Sequence, residues 1–332
     1  MEQHRRAAFQ RPCRGGSTVS AIRWLTTPAN FRCPSGTTEF AAPHLITPAF
    51  STEENGAPGN EAGHGRAVND PENTRPEGGL EVRSYFVRGR NALLTRADFG
   101  DLYVDYYLHQ GQLGAQHDPA HDELLKQALA AMTLHAASRP WSEAVAWTIH
   151  LQQPLLNLFV AGDNRLGTVV GQLFTENVKK DGRQLFMADV VRDRGESRRS
   201  AVEFPGGDVF RAVEEYYRQS EQRPARFFQF GPEDFVFLSA QPQCDLAWLE
   251  TLDDAAMLTL DATEELSLLE TRHYRWECGC SQERMFGVLA AVMKQDPDGL
   301  FGEEETLRMS CPRCGARHTI TREALEAYVD GR

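Results

Sequence analysis

Trp276-Glu277-Cys278-Gly279-Cys280-Ser281 and, thirty residues beyond, Cys311-Pro312-Arg313-Cys314-Gly315 are the stretches whose reading decides the fold of this chain. Two thiol pairs this close support few chemistries. Brought together, they make a soft, closed, four-sulfur cage that suits Zn2+, which accepts thiolate ligands in tetrahedral geometry and needs no open position when its role is structural. Pulled apart, each pair is able to close as a disulfide. Four thiolates outweigh the two positive charges of Zn2+, so the sulfurs stay electron-rich and open to peroxide or hypochlorite, with loss of the metal.

Local signals support a small folded unit around the thiols. Pro312 presets a turn and Gly315 tolerates a positive φ, so that backbone amides face the sulfurs. Ser281 is expected to cap a helix from Gln282 to about Lys294, leaving Cys280 beside positively polarised amides. Arg317-His318-Thr319-Ile320 reads as a short strand, and Thr321 as the cap of a last helix through Tyr328. The 55 residues from Cys278 to Arg332 are few for a core of their own. A bound metal, contributing on the order of 10 kcal/mol of folding energy, would supply the difference. The cage alone fits either a purely structural ribbon or an oxidation switch. The Cys-x-Cys half favours the switch, because a disulfide across one intervening residue closes a strained and therefore labile ring. His273 and His318 lie near enough in sequence to substitute as ligands, but four sulfurs already complete the set.

These residues resemble the redox switch of the heat shock protein 33 family, the oxidation-activated holdase chaperones. A second likeness precedes them in the expected order: Tyr216-Tyr217-Arg218-Gln219-Ser220-Glu221-Gln222-Arg223-Pro224-Ala225-Arg226 is similar to the family's helix ending in Ser-Glu-Gln-x-Pro before a strand. The resemblance spans about residues 82–332. It implies an ATP-independent chaperone for unfolded or aggregation-prone client proteins. Cys278, Cys280, Cys311 and Cys314 would bind zinc when reduced and form two neighbouring disulfides when oxidised, Cys278 with Cys280 and Cys311 with Cys314. Metal loss in the family unfolds the C-terminal domain and loosens an adjoining linker, and the active form tends to dimerise. Two features differ from the family pattern. Only about 36 residues, Pro242 to Glu277, precede the first thiol pair, and Asn164-Arg165-Leu166-Gly167-Thr168-Val169-Val170-Gly171-Gln172-Leu173-Phe174 stands where the family has a glycine-rich stretch ending in Arg-Gly-Tyr-Val.

Upstream of the thiols, the pattern predicts an α+β fold: a sheet-and-helix core domain over 81–241, a short helical linker over 242–277 and a small zinc-binding redox-switch domain over 278–332. Ser84-Tyr85-Phe86-Val87-Arg88 alternates like an edge strand, and Asp101–Gly111 is aromatic-rich with strand or short-helix character. Asp118 and Pro119 open a helix with Leu124, Leu125, Ala128, Met132 and His135 on one stripe, ending before Pro140. His135 there reads as a packed side chain. Strands follow at 144–151, 155–161, 168–174, 184–191 and 201–204, then a helix over 208–222 and a hairpin of 226–230 and 235–240. Cys244, at the head of a further helix, reads as a half-buried structural thiol. Arg192-Asp193-Arg194-Gly195-Glu196-Ser197-Arg198-Arg199 reads as a solvated hairpin loop, since acids interrupt its basic residues.

Residues 1–80 have no lysine, little periodicity and a Gly/Pro-rich stretch from Glu54 to Gly79. They read as a disordered or wrongly extended N-terminus, with Cys13 and Cys33 in it; six arginines in the first fifty residues faintly resemble a transit peptide.

Composition narrows the function classes. A net charge of −12 and a pI near 5.4 disfavour nucleic acid and anionic membrane as partners. No apolar run reaches the length of a membrane span or a secretory signal, so a cytoplasmic location is expected, where clustered cysteines mean metal or redox sensing. The sequence contains no phosphate-cradling glycine loop, nucleophile elbow or helical His-Glu-x-x-His, so no enzyme is expected. The alternative from another class is a structural zinc-ribbon adaptor or nucleic-acid-associated protein. A thiol oxidoreductase would need its Cys-x-x-Cys at the head of a βαβ helix, not in a C-terminal knuckle.

Overall fold

The computed structural model describes residues 79–331 apart from 115, 181 and 193–195. The expectations for the N-terminal segment, Cys13 and Cys33 included, lie outside the described residues. Chain order is β1 (Leu80–Val87), β2 (Ala92–Asp98), α1 (Gly100–Leu113), α2 (Pro119–Ala137), β3 (Glu143–Gln152), β4 (Leu155–Asp163), β5 (Thr168–Phe174), β6 (Leu185–Arg192) and β7 (Arg198–Glu203). It continues with α3 (Val209–Gln219), β8 (Ala225–Gln229), β9 (Asp234–Ala240), α4 (Leu246–Thr251), α5 (Asp254–Leu258), α6 (Leu260–Thr263) and β10 (Leu266–Trp276). The last elements are α7 (Gln282–Gln295), α8 (Pro297–Phe301), β11 (Thr306–Ser310), β12 (Arg317–Thr321) and α9 (Arg322–Asp330).

Ten strands form one sheet in the order β7-β6-β3-β4-β5-β10-β1-β2-β9-β8. Helix α2 packs against it. Pro119 stands in the first turn of α2 and the Asp118 carboxylate accepts from the Ala120 amide, as the sequence signal required. The helix is buried on more than a stripe: Leu125, Ala128, Leu129, Met132 and His135 are all enclosed, and the main core gathers them with Trp147, Phe186, Tyr216 and Tyr217. His135 is a packed side chain whose Nδ1 lies 2.5 Å from the Tyr217 hydroxyl. Burial, then the positive charge of Arg139, Arg223 and Arg198, holds its pKa well below the ordinary histidine range.

Side chains alternate across the strands, so β9 serves two cores: Phe235 and Phe237 face the main core, while Val236, Leu238 and Ala240 face the opposite side. That second side is covered by the segment read as a linker. Leu249, Leu252, Met257 and Leu260 of α4–α6 and the residue after α4 bury against Val87, Leu94, Phe228, Val236 and Leu238. Cys244 packs there half-buried as expected, and burial raises its thiol pKa.

The segment 242–277 is therefore helical only in its first part. Its second part, β10, pairs antiparallel with β1 from Leu80↔Tyr274 to Val87↔Leu266, and parallel with β5 at Arg275↔Thr168 and Trp276↔Val169. Strand β1 is consequently interior, not the edge strand expected from its alternation; its partners β2 and β10 carried no strand signal strong enough to read. At the crossing, Gly167 has φ +60°, and a Cβ there would come within 2.7 Å of the His273 carbonyl oxygen. Only glycine permits that approach. The aromatic stretch after Asp98 resolves as helix α1.

Beyond β10, the C-terminal elements build their own small core from Met285, Leu289, Met293, Leu307, Ile320 and Leu325. Ser281 caps α7 and Thr321 caps α9, each side-chain oxygen accepting an amide three residues on.

Candidate metal centre

Cys278 and Cys280 follow directly on β10, in the bend that leads to the Ser281 cap, and Gly279 between them has φ +62°. Cys311 and Cys314 occupy the turn from β11 to β12. That turn is closed by two backbone bonds, Gly315 N to Cys311 O at 2.8 Å and Cys311 N to Ala316 O at 2.7 Å. Gly315 takes φ +78°, a left-handed conformation that a side chain would strain. The turn aims amides at the sulfurs, as expected: the N–H of Arg313 faces Cys311, and that of Ala316 faces Cys314.

The structure brings all four sequence-identified cysteines together, every sulfur within 4.8 Å of the others. The closest approaches run between the two motifs, Cys278 Sγ to Cys311 Sγ at 3.6 Å and Cys280 Sγ to Cys314 Sγ at 3.7 Å. Four sulfurs about 2.3 Å from a common centre in tetrahedral geometry would be roughly 3.8 Å apart. The donor set and its spacing thus fit a four-coordinate thiolate site. They do not fit a formed disulfide, which needs about 2.05 Å.

Crowding sets the thiols against one another. Hydrogen bonding from Cys278 holds Cys280 far below the ordinary thiol range, and holds Cys311 at about 6. Bonds to Cys280 and Cys311 push Cys278 well above it, and Cys314, facing all three others, is also raised. Four anionic sulfurs at this spacing repel, so full ionisation calls for a cation among them.

The cluster rests against the main sheet. Cys311 and Cys314 are buried with Ala161 of β4 and Val170 of β5, and Phe159 and Trp276 pack at the margin. His109 of α1 donates from Nε2 to the Cys314 carbonyl at 2.8 Å, and Trp276 stacks obliquely on both Tyr106 and His109. Arg313 reaches back to the Cys278 carbonyl at 3.5 Å. Of the two histidines considered as substitute ligands, His273 lies in β10 with Nε2 3.7 Å from Glu81. His318 sits on β12 within hydrogen-bonding reach of Cys280, its Nε2 enclosed.

Sequence reasoning missed two neighbours that matter to the site: His109 of α1 reaches the Cys314 carbonyl and Gln172 of β5 lies against Gly315, and no local spacing marks either. Arg90 was also missed. It ties the β1–β2 turn to both ends of the helical cover, bonding Asp245 at 2.7 Å and Glu264 at 2.9 Å while lying over the Trp248 ring. The basic run read as a solvated hairpin loop is partly strand: Arg192 ends β6 and pairs with the buried Glu143, while Arg198 and Arg199 open β7 and pair with Glu221 and Asp189. Residues 193–195 lie outside the described residues. No helix among the described residues is long and apolar enough to cross a membrane.

Three comparisons bear on this arrangement. The family model described as "Hsp33 protein" matches residues 238–321, which include all four cysteines. The chain is 24% identical over 240 residues to the 33 kDa chaperonin of Edwardsiella ictaluri, a match that covers 63% of this chain and 82% of that protein. It is 25% identical over 241 residues to the 33 kDa chaperonin of Shewanella denitrificans, covering 64% of this chain and 83% of that one. The crystal structure of the 33 kDa chaperonin (heat shock protein 33 homolog) of Thermotoga maritima superposes with a TM-score of 0.58 at 13% identity, over 76% of this chain and 99% of that one, so the fold is shared.

Proposed function

We propose that the chain is a member of the Hsp33 family of chaperones, a reading supported by the family-model match over residues 238–321, the 33 kDa chaperonin relatives and the shared fold, and that it is a redox-regulated, ATP-independent holdase, inactive while reduced and zinc-bound. The observation that carries the reading is the convergence of Cys278, Cys280, Cys311 and Cys314, every sulfur within 4.8 Å of the others and two pairs at 3.6 and 3.7 Å. Zn2+ held by these four sulfurs would staple 278–332 and neutralise the thiolates. Residues 81–241 act as the chaperone core, 242–277 as the linker that ends in β10, and 278–332 as the redox-switch domain.

Oxidation removes the ligands. The thiolates of Cys278 with Cys280, and of Cys311 with Cys314, would each give up two electrons to one hydrogen peroxide, which takes two protons from solvent, forming one S–S bond and two waters. The thiolates are then no longer available to hold a cation, and the short core around Leu289, Leu307 and Ile320 loses its staple. The cover formed by α4–α6 is the next part to yield. Beneath it lie Leu94, Phe228, Val236 and Leu238, an apolar face suited to unfolding client chains. A dimer of the oxidised form, and a cytoplasmic location with neither nucleic acid nor membrane as partner, complete the proposal; the net charge of −12 is in keeping with the last two.

The test is suppression of client aggregation by the reduced, zinc-loaded protein and by the peroxide-treated protein. Activity confined to the oxidised form supports the reading. Equal suppression by both forms refutes switching, and zinc retention under oxidant would favour a structural ribbon instead.

A further inference from the structure

The Cys311–Cys314 turn is held from outside its own domain. His109, in the last part of α1, donates from Nε2 to the carbonyl of Cys314 at 2.8 Å. Its ring is fixed by Trp276, whose centroid lies 5.6 Å away and which in turn packs on Tyr106 at 5.2 Å. The side-chain amide of Gln172 in β5 fits against the Cα of Gly315, so closely that a Cβ there would come within 2.8 Å of its Oε1. Ala161 and Val170 close the floor beneath Cys311 and Cys314. Three separate core elements, α1, β4 and β5, thus meet the backbone and underside of one turn that carries two of the four sulfurs.

From this geometry we propose that His109 is a positioning residue for the thiol cluster: its hydrogen bond to the Cys314 carbonyl, seated by Gln172 against Gly315, makes retention of the metal depend on docking to the core. The inference rests on the zinc-binding reading above. A carbonyl one bond from Cys314 Cα, held at a fixed distance, limits how far that sulfur swings out of the cluster. Groups that orient a ligand tune a metal site without touching the metal. When the bond is absent, the turn pivots more freely, and a chelator or peroxide reaches the sulfurs more often. No proton is gained or lost in this role, only a donor in place.

The test uses the full-length reduced protein loaded with Zn2+. Transfer of zinc to a chromogenic chelator is timed with and without hydrogen peroxide for wild type, His109→Ala, His109→Gln and, as a helix control, Val104→Ala on the exposed side of α1. Losing one such hydrogen bond is expected to speed release about three- to tenfold in His109→Ala. His109→Gln, which keeps a donor, should recover part of the difference, and Val104→Ala should match wild type. Hydrogen exchange of β3 and β4 amides checks that the core stays folded, and exchange of β12 amides should quicken in His109→Ala. Equal release rates and equal β12 exchange in zinc-loaded wild type and His109→Ala overturn the positioning role and leave the zinc reading intact. Wild type that takes up no zinc overturns both.

Discussion

The phenol of Tyr274 donates to the amide oxygen of Asn164 at 2.8 Å, both groups buried, and so joins β10 to the turn between β4 and β5. Asn164 spends its other end on the core, its Nδ2 donating to the carbonyls of Ala136 at 2.8 Å and Pro140 at 2.9 Å. One side chain thereby ties together the end of α2, the start of β3 and the strand that delivers Cys278. Replacing Asn164 with Ala removes the acceptor of the Tyr274 hydroxyl and one donor each from the Ala136 and Pro140 carbonyls, which keep the amides of Arg139 and Glu143, at a cost of about 1–3 kcal/mol. Urea denaturation should place the midpoint of Asn164→Ala clearly below that of wild type, with Tyr274→Phe affected less.

Leu249 and Leu260 are almost wholly enclosed between the helical cover and the sheet. Truncating Leu249 to Ala should cost about 2–4 kcal/mol, chiefly in the docking of α4–α6. If this cover hides the client-binding face, reduced, zinc-loaded Leu249→Ala will suppress client aggregation while wild type in the same state will not.

Arg90 makes the polar half of the same attachment through Asp245 and Glu264. In Arg90→Ala, amides of residues 246–263 should exchange faster than in wild type while those of β11 and β12 keep their rates. Unchanged exchange over 246–263 would mean that the apolar contacts alone hold the cover.

His135 gives a pH signature. Its pKa is depressed in the folded protein, first by burial and then by Arg139, Arg223 and Arg198, so on acidification the unfolded chain takes up a proton that the folded chain refuses. The stabilisation is therefore present above about pH 6.5, the unfolded value, and is lost as pH falls below it. Between pH 7.5 and 5.5, the urea midpoint of wild type should fall further than that of His135→Phe, measured side by side at equal metal content.

Much of this architecture was legible in the sequence because its signals are local. Asp118-Pro119, Ser281 and Thr321 announce helix starts through chemistry confined to three or four residues, and the hairpins β3–β4 and β8–β9 alternate visibly between their turns. The four thiols were legible for the same reason, each pair being set by its own spacing. What escaped was non-local. Strand β10 follows directly on helices and carries charges at Glu270, Arg272 and Arg275, so it read as linker; its strand character comes from β1, nearly two hundred residues earlier in the chain. Arg272 shows why a charge fits there: its guanidinium is buried but bonds the Arg139 carbonyl at 2.7 Å and Glu270 at 2.6 Å. His109 and Gln172 meet the Cys311–Cys314 turn only through the tertiary fold.

The most direct measurement follows zinc content, free thiols and client binding in one sample during titration with hydrogen peroxide. The account predicts that the reduced protein holds one Zn2+ per chain, that metal and four thiols are lost together, and that suppression of client aggregation rises in step. Reduced protein without zinc, or client binding already complete while metal and thiols are intact, would contradict it.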